Sequence, residues 1–449
     1  MGAIENTEDK VSTYKFLGMH FAFEETEPVL KGDFPLSPAD TSTLRELAKK
    51  VREYAEDPVN QERKRLWTQS NDLSGERPMI WFDEVCWHEM NVDDELTLRT
   101  KHPFCRQIEA ELRQQIYLWK HMPGDMIIEP KIYSPLAITN TGIGLKPEMD
   151  VVRTDDKNDV VSRHFIITIR DENDLDKIEN PKIIHDTGLS DIIHGKYTEI
   201  FEGILDVERR GAPGFWFAPW DDIVTFTGVQ EALLDLAMRP DYIKALVSKL
   251  VDTALSVLDQ YEEQGLLSRN DYNIRVGSGA YAYTDDLPPT PEGEAVKLDQ
   301  IWGACTAQIF AEVSPAMHEE FALQYERKWL SRFGLTYYGC CEPLHHKMDE
   351  LRSVKNLRKV SISPFADLER AEEAVGDDFV ISYKPSPAVL ARSTWDPGAV
   401  RKELTEALSV IKDRNVEVIM KDISTVRYEP ERLWEWVRIA TEVSRDVAG

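Results

Sequence analysis

The last third of the chain alternates short β-prone runs with helical segments, and this alternation limits the fold more than any other feature. The runs fall at 335–338, 359–362, 379–382 and 416–420, with helical patterns at 348–351, 368–375, 399–414 and 430–443. Strands separated by helices pair in parallel, because a parallel neighbour needs a crossover long enough to hold a helix, and that crossover is right-handed. Earlier runs at 79–82 and 214–217 extend the pattern, so the stretch from 79 to 420 holds about eight β/α steps. No Gly-x-Gly-x-x-Gly follows the first strand. The expected fold is therefore an α/β (β/α)8 TIM barrel, not a doubly wound dinucleotide fold.

Two additions to the barrel are expected. Residues 1–75 are charged and helix-prone, and Leu44, Leu47, Val51 and Tyr54 recur at helical spacing within 41–62, which a break near Pro58 divides. They read as an N-terminal helical extension on a barrel spanning 76–449. Within the barrel, Ile127-Ile128, Ile132-Tyr133 and Phe165-Ile166-Ile167-Thr168-Ile169 mark a β-rich insertion at about 126–180. Beyond it, helices are expected at 229–238 and 242–261, split by Arg239-Pro240.

Charge and cysteine usage exclude whole classes of function. A formal charge of −27 speaks against nucleic acid or an anionic membrane surface, since phosphate contacts require basic patches. No stretch reaches the ~20 apolar residues that a membrane helix needs. Five scattered cysteines are too few for a disulfide framework, and the N-terminus lacks a basic, then apolar leader, so a reducing cytoplasm is the expected compartment.

On a barrel, chemistry belongs where strands end and helices begin. The densest such point is Cys340-Cys341-Glu342, with His345 and His346 just beyond. Thiolate, carboxylate and imidazole can all bind a catalytic zinc, which needs three protein ligands; buried apolar thiols are the plainer reading. Asp83, with Glu84 and His88 beside it, ends the first strand. Lys384 and Asp422 follow later strands as candidate clamps or acid–base groups, and Lys384 is otherwise a solvated lysine. Asp221 is a catalytic candidate or, with Asp222, a helix cap. Trp220, Tyr281 and Tyr283 are ring-binding candidates or ordinary core.

Several stretches together resemble the uroporphyrinogen decarboxylase superfamily. They are Pro219-Trp220-Asp221 before Thr227-Gly228-Val229-Gln230-Glu231, Val313-Ser314-Pro315 before His318, the Tyr338-Gly339-Cys340-Cys341-Glu342 turn, and Ser361-Ile362-Ser363-Pro364-Phe365-Ala366-Asp367. The resemblance runs from about Arg77 to the C-terminus and implies the same barrel. That superfamily contains decarboxylases and zinc-dependent methyltransferases that pass methyl groups between corrinoids and thiols. The first strand ends in Asp83-Glu84-Val85-Cys86-Trp87 and lacks the arginine-rich decarboxylase signature, so the methyltransferase branch is the nearer one. The branch's His-x-Cys and last-strand Cys are replaced by Gly339-Cys340-Cys341-Glu342 and Lys421-Asp422. The implied ligand set is then Cys340, Cys341, Glu342 and His346.

The leading expectation is thus a metal-dependent methyltransferase acting on a small-molecule substrate, with zinc bound and a corrinoid protein as partner. A homodimer stays open as its assembly. The alternatives are a cofactor-free decarboxylase or lyase acting on a small aromatic or cyclic acid, and a non-catalytic ligand-binding barrel.

Overall fold

The computed structural model describes residues 19–21, 23–28, 30–152 and 162–449. In chain order its strands are β1 (Met19–Phe21), β2 (Met79–Phe82), β3 (Lys131–Pro135), β4 (Ile138–Asn140), β5 (Glu148–Val152), β6 (Ser162–Ile166) and β7 (Ile183–His185). They continue as β8 (Asp206–Arg210), β9 (Gly214–Phe217), β10 (Trp302–Cys305), β11 (Leu335–Tyr338), β12 (Leu357–Ile362), β13 (Val380–Tyr383) and β14 (Val416–Met420).

Eight of these strands form one sheet in the order β1-β9-β10-β11-β12-β13-β14-β2. Every pair in it is parallel, as the strand–helix alternation requires. Helices such as Leu368–Val375 and Pro397–Ile411 make the returns, and Glu431–Ala448 packs back on β2. The runs expected at 79–82, 214–217, 335–338, 359–362, 379–382 and 416–420 all lie in this sheet.

Three features differ from the expectation. The sheet is a curled β/α layer whose order stops at β1 and β2, and among the described residues these two ends do not pair into a closed eight-stranded ring. Instead, Asp125 covers the free edge of β2: Ile80 donates to its carboxylate at 2.7 Å, and the Asp125 amide donates to the Ile80 carbonyl at 3.1 Å. Second, the N-terminal segment is not purely helical. Helices Pro38–Ala55 and Val59–Asn71 are present, but β1 ahead of them joins the main sheet beside β9. Third, the β-rich insertion forms three separate two-stranded sheets, β3–β8, β4–β7 and β5–β6, and so extends to Arg210. A strand as short as Met19–Phe21 carries little pattern of its own and finds its place only through its neighbour.

Side chains alternate across the strands, as the period of two demands. Val360, Ile362, Val418 and Met420 face the helices in the main apolar core. Tyr337, Lys359, Ser361, Ser382 and Glu417 face inward and are fully or almost fully buried. Polar groups in such a place need partners, and a hairpin over 274–282 supplies them. Val276 donates to the Ala280 carbonyl at 3.0 Å and Ala282 to Ile274 at 2.9 Å, closing the hairpin. Lys359 donates to the Tyr281 carbonyl at 3.0 Å and to Glu417 at 2.8 Å, while Glu417 accepts from the Ala280 amide at 3.3 Å. At Gly279 a Cβ would lie 2.5 Å from Glu417 and 2.6 Å from Tyr337, so only glycine lets the tip lie against the strands.

Lys359 and Glu417 have no solvent exposure. Removing one member of a buried ion pair costs roughly 3–5 kcal/mol, because the other charge is left stranded. Glu417→Ala is expected to lose stability in that range in urea unfolding, and the paired Lys359→Met/Glu417→Leu variant to lose less.

Candidate active site

The turn after β11 is set by backbone first. Gly339 has φ +101°, and a Cβ there would meet Leu344 at 2.5 Å and Ser361 at 2.9 Å. Glu342 then folds back beneath the turn: its carboxylate accepts from the Cys340 amide at 2.9 Å and from the Thr306 hydroxyl at 2.8 Å. Ser361 donates to the Cys340 carbonyl at 2.6 Å. The two cysteines are thereby held with their sulfurs 3.6 Å apart, both free thiols.

Cys340 is buried, and its sulfur lies 3.5 Å from Nζ of Lys421. A hydrogen bond from the Cys341 thiol, with Lys421 and Lys384 close by, brings the Cys340 thiol down to about 6 despite its burial. That same bond to Cys340 pushes the Cys341 thiol up. One cysteine is thus the thiolate and the other its donor.

Lys421 links this turn to the exit of β2. It lies 3.3 Å from Asp422 and 3.7 Å from Glu84, and burial, which would lower its pKa, is outweighed by Cys340, Glu84 and Asp422. Burial pushes Glu84 up to about 7, with Lys421 opposing. Asp422 is held low against burial by Glu84 and Lys421, so the Glu84–Asp422 pair shares a proton that resides on Glu84. Both residues have left-handed backbones, with φ +50° and +57°. For non-glycine residues that conformation costs about 1–3 kcal/mol and persists only where the surroundings impose it. Arg275, at the foot of the hairpin, contacts the Asp83 carboxylate and lies 3.8 Å from Glu84.

The remaining residues expected at the site fall into two groups. Asp221 belongs with the cysteines: Gln308 donates to one of its oxygens at 2.5 Å, and burial, then Cys340, pushes it up to about 7. It is not a cap, since Ala218 occupies that position without a side-chain bond. Lys384 is not solvated. It lies beneath the turn, donating to the Tyr337 hydroxyl at 2.8 Å and to Ser361, which in turn holds Cys340. The aromatic candidates all take part in packing, and Tyr281 also borders a cavity at the exit of β2. Trp220 is fully buried, donates to the Phe321 carbonyl at 3.2 Å and packs on Phe310. Tyr283 is buried with its hydroxyl 3.2 Å from Glu129, and Tyr281 packs between Trp67 and Trp81.

The implied zinc set does not come together. Both oxygens of Glu342 are occupied by the turn and by Thr306, and an ammonium already faces Cys340. His346 is exposed and packs on His345 instead of reaching the thiols. Among the described residues no group of three or more His, Cys, Asp or Glu side chains is placed to hold a metal. The donors present do not fit a zinc ion.

Arg275 is the site residue that the sequence pattern leaves out. It stands in Ile274-Arg275-Val276, where an arginine between apolar residues ahead of Gly277 and Gly279 signals a buried cation, but its partners come from another strand.

No family model matches the chain, and no curated protein sequence matches it. Among solved structures, a methyltransferase from Methanosarcina mazei aligns with 85% of this chain and 98% of its own at 11% identity and a TM-score of 0.49. At that identity and score the likeness carries no functional argument.

Lys421 supports the Cys340 thiolate, second to the hydrogen bond from Cys341. In Lys421→Met the alkylation of Cys340 by iodoacetamide, followed against pH, is expected to move its midpoint upward from about 6. At pH 7 less of the variant thiol is then ionised and alkylation is slower.

Proposed function

We propose that the chain is a group-transfer enzyme in which the Cys340 thiolate is the nucleophile. The observation that carries this reading is the Cys340 sulfur, 3.5 Å from the buried Lys421 ammonium at the strand ends of a parallel β/α sheet. Thiolate sulfur attacks an electrophilic carbon, forming the S–C bond as the bond to the leaving group breaks. The electron pair departs with the leaving group, and a carboxyl poised near neutrality, Glu84 or Asp221, supplies its proton. An acceptor nucleophile then attacks the same carbon, the S–C bond breaks with its electron pair returning to sulfur, and Lys421 holds the regenerated thiolate as the anion between turnovers. Methyl transfer is the form of this chemistry that the family resemblance implies, with a methylated corrinoid protein as donor. No step here runs through zinc.

A second reading has its own support. Two carboxyls held near 7, Glu84 beside the Lys421 and Arg275 cations and Asp221 bonded to Gln308, also suit proton transfer in a lyase or decarboxylase acting on a small aromatic or cyclic acid. The two readings part at Cys340. Under thiolate transfer, Cys340→Ser abolishes turnover, and mass spectrometry of the wild type incubated with a donor substrate shows the transferred group on Cys340. Turnover that survives in Cys340→Ser selects the lyase. Glu84→Gln is expected to lower kcat by roughly 10²–10⁴-fold under either reading, the usual contribution of a positioned acid or base.

A further inference from the structure

Cys340 and Cys341 are neighbours in the chain, and their sulfurs lie 3.6 Å apart, both as free thiols. In an extended run, neighbouring side chains point to opposite faces. Here the turn brings the two sulfurs together. Gly339 sits at φ +101°, and the Cys340 backbone is gripped at both ends, its amide by Glu342 and its carbonyl by Ser361. Cys341 donates to the Cys340 thiolate, but a serine hydroxyl could do that as well. Donation alone does not account for sulfur at position 341.

The other three cysteines have a different setting. Cys86, Cys105 and Cys305 lie within apolar packing, where thiols are inert. The Cys340 sulfur instead faces the Lys421 ammonium at 3.5 Å, which favours the reactive thiolate. Cys341 is only half-buried, and its sulfur lies 4.0 Å from Asp422, an exposed carboxylate, so the pair meets solvent on that side.

We propose that Cys340 and Cys341 form an oxidation site for hydroperoxides, which convert the pair into a disulfide between neighbouring residues that small thiols reduce again. The Cys340 thiolate attacks one peroxide oxygen, the S–O bond forming as the O–O bond breaks, and the departing oxygen takes up a proton as water or alcohol. The Cys341 thiol then gives up its proton, its sulfur bonds to the Cys340 sulfur, and the sulfenic hydroxyl leaves with that proton as water. The two sulfurs lose two electrons in all, and the peroxide gains them. The sulfurs need close by only about 1.5 Å to reach bonding distance. Neighbouring Cα atoms are about 3.8 Å apart, short of the roughly 4.4–6.8 Å that a relaxed disulfide spans, so the bridge is of the strained, easily reduced kind.

Hydrogen peroxide in modest excess over the full chain at pH 7 tests this, followed by alkylation of the remaining thiols and peptide mass spectrometry. The peptide carrying both cysteines is expected to lose two hydrogens and take no alkyl group, and to take both after dithiothreitol. In Cys341→Ser, oxidation is expected to stop at a Cys340 sulfenic acid that dimedone captures. Cys340→Ser is expected to slow oxidation of Cys341 at least about tenfold. A wild-type pair still fully alkylated after peroxide overturns the proposal. So does a sulfinic acid in place of the disulfide, or oxidation of Cys340→Ser at the wild-type rate. The wild-type measurement needs no substitution, so the test holds even where a variant fails to fold. Its readout is peptide mass, and it stands or falls separately from group transfer, which is read by turnover.

Discussion

An ion pair without solvent contact, Lys359 with Glu417, holds the interior of this protein together. Each charge also bonds to the backbone of the 274–282 hairpin, which fills the inside of the curled sheet where a barrel would have layers of inward side chains. Buried pairs seldom add much net stability over apolar replacements. This one selects a position: with Lys359 gripping the Tyr281 carbonyl and Glu417 the Ala280 amide, the hairpin has one seat, and Arg275 at its foot has one place to go.

The site follows from that placement through a run of charges. Arg275 meets Asp83 and Glu84; Glu84 and Asp422 share a proton beside Lys421; Lys421 faces the Cys340 sulfur. Apart from the exposed Asp422 these groups are largely buried, so a change at one end is felt at the other. The left-handed backbones at Glu84 and Asp422 belong to the same arrangement, since they turn two strand ends toward a common point.

Behind the sheet, a second buried set is wired differently. The His318 ring nitrogen lies 2.7 Å from the Tyr338 hydroxyl, which donates to Glu326 at 2.7 Å. Burial, then the nearby Lys347 and His346, holds His318 at about 3, and burial raises Glu326 to about 8. Tyr337 and Tyr338 thus serve opposite faces of one strand, the first under Lys384 and the cysteine turn, the second in the helix-packed core.

Much of the architecture was legible in the chain itself. Period-two runs between helical segments dictate parallel pairing, and the six strands recognised that way all sit in the main sheet, because their pairing is enforced by hydrophobic pattern and crossover length. The turn at Gly339-Cys340-Cys341 and the rim positions Asp83, Asp221 and Asp422 were legible for the same reason: strand ends set where functional groups emerge. Tertiary structure alone decided the rest. It recruited Met19–Phe21 into the sheet and, among the described residues, left the β1 and β2 ends unpaired. It buried Trp220 and Tyr283 in packing, gave both Glu342 oxygens to the turn, and kept His346 away from the thiols. Above all it set Arg275, Lys421 and Cys340 in line. Local sequence governs backbone period and turn chemistry, whereas the partner of a buried charge lies many residues away and is chosen only when the chain closes around it.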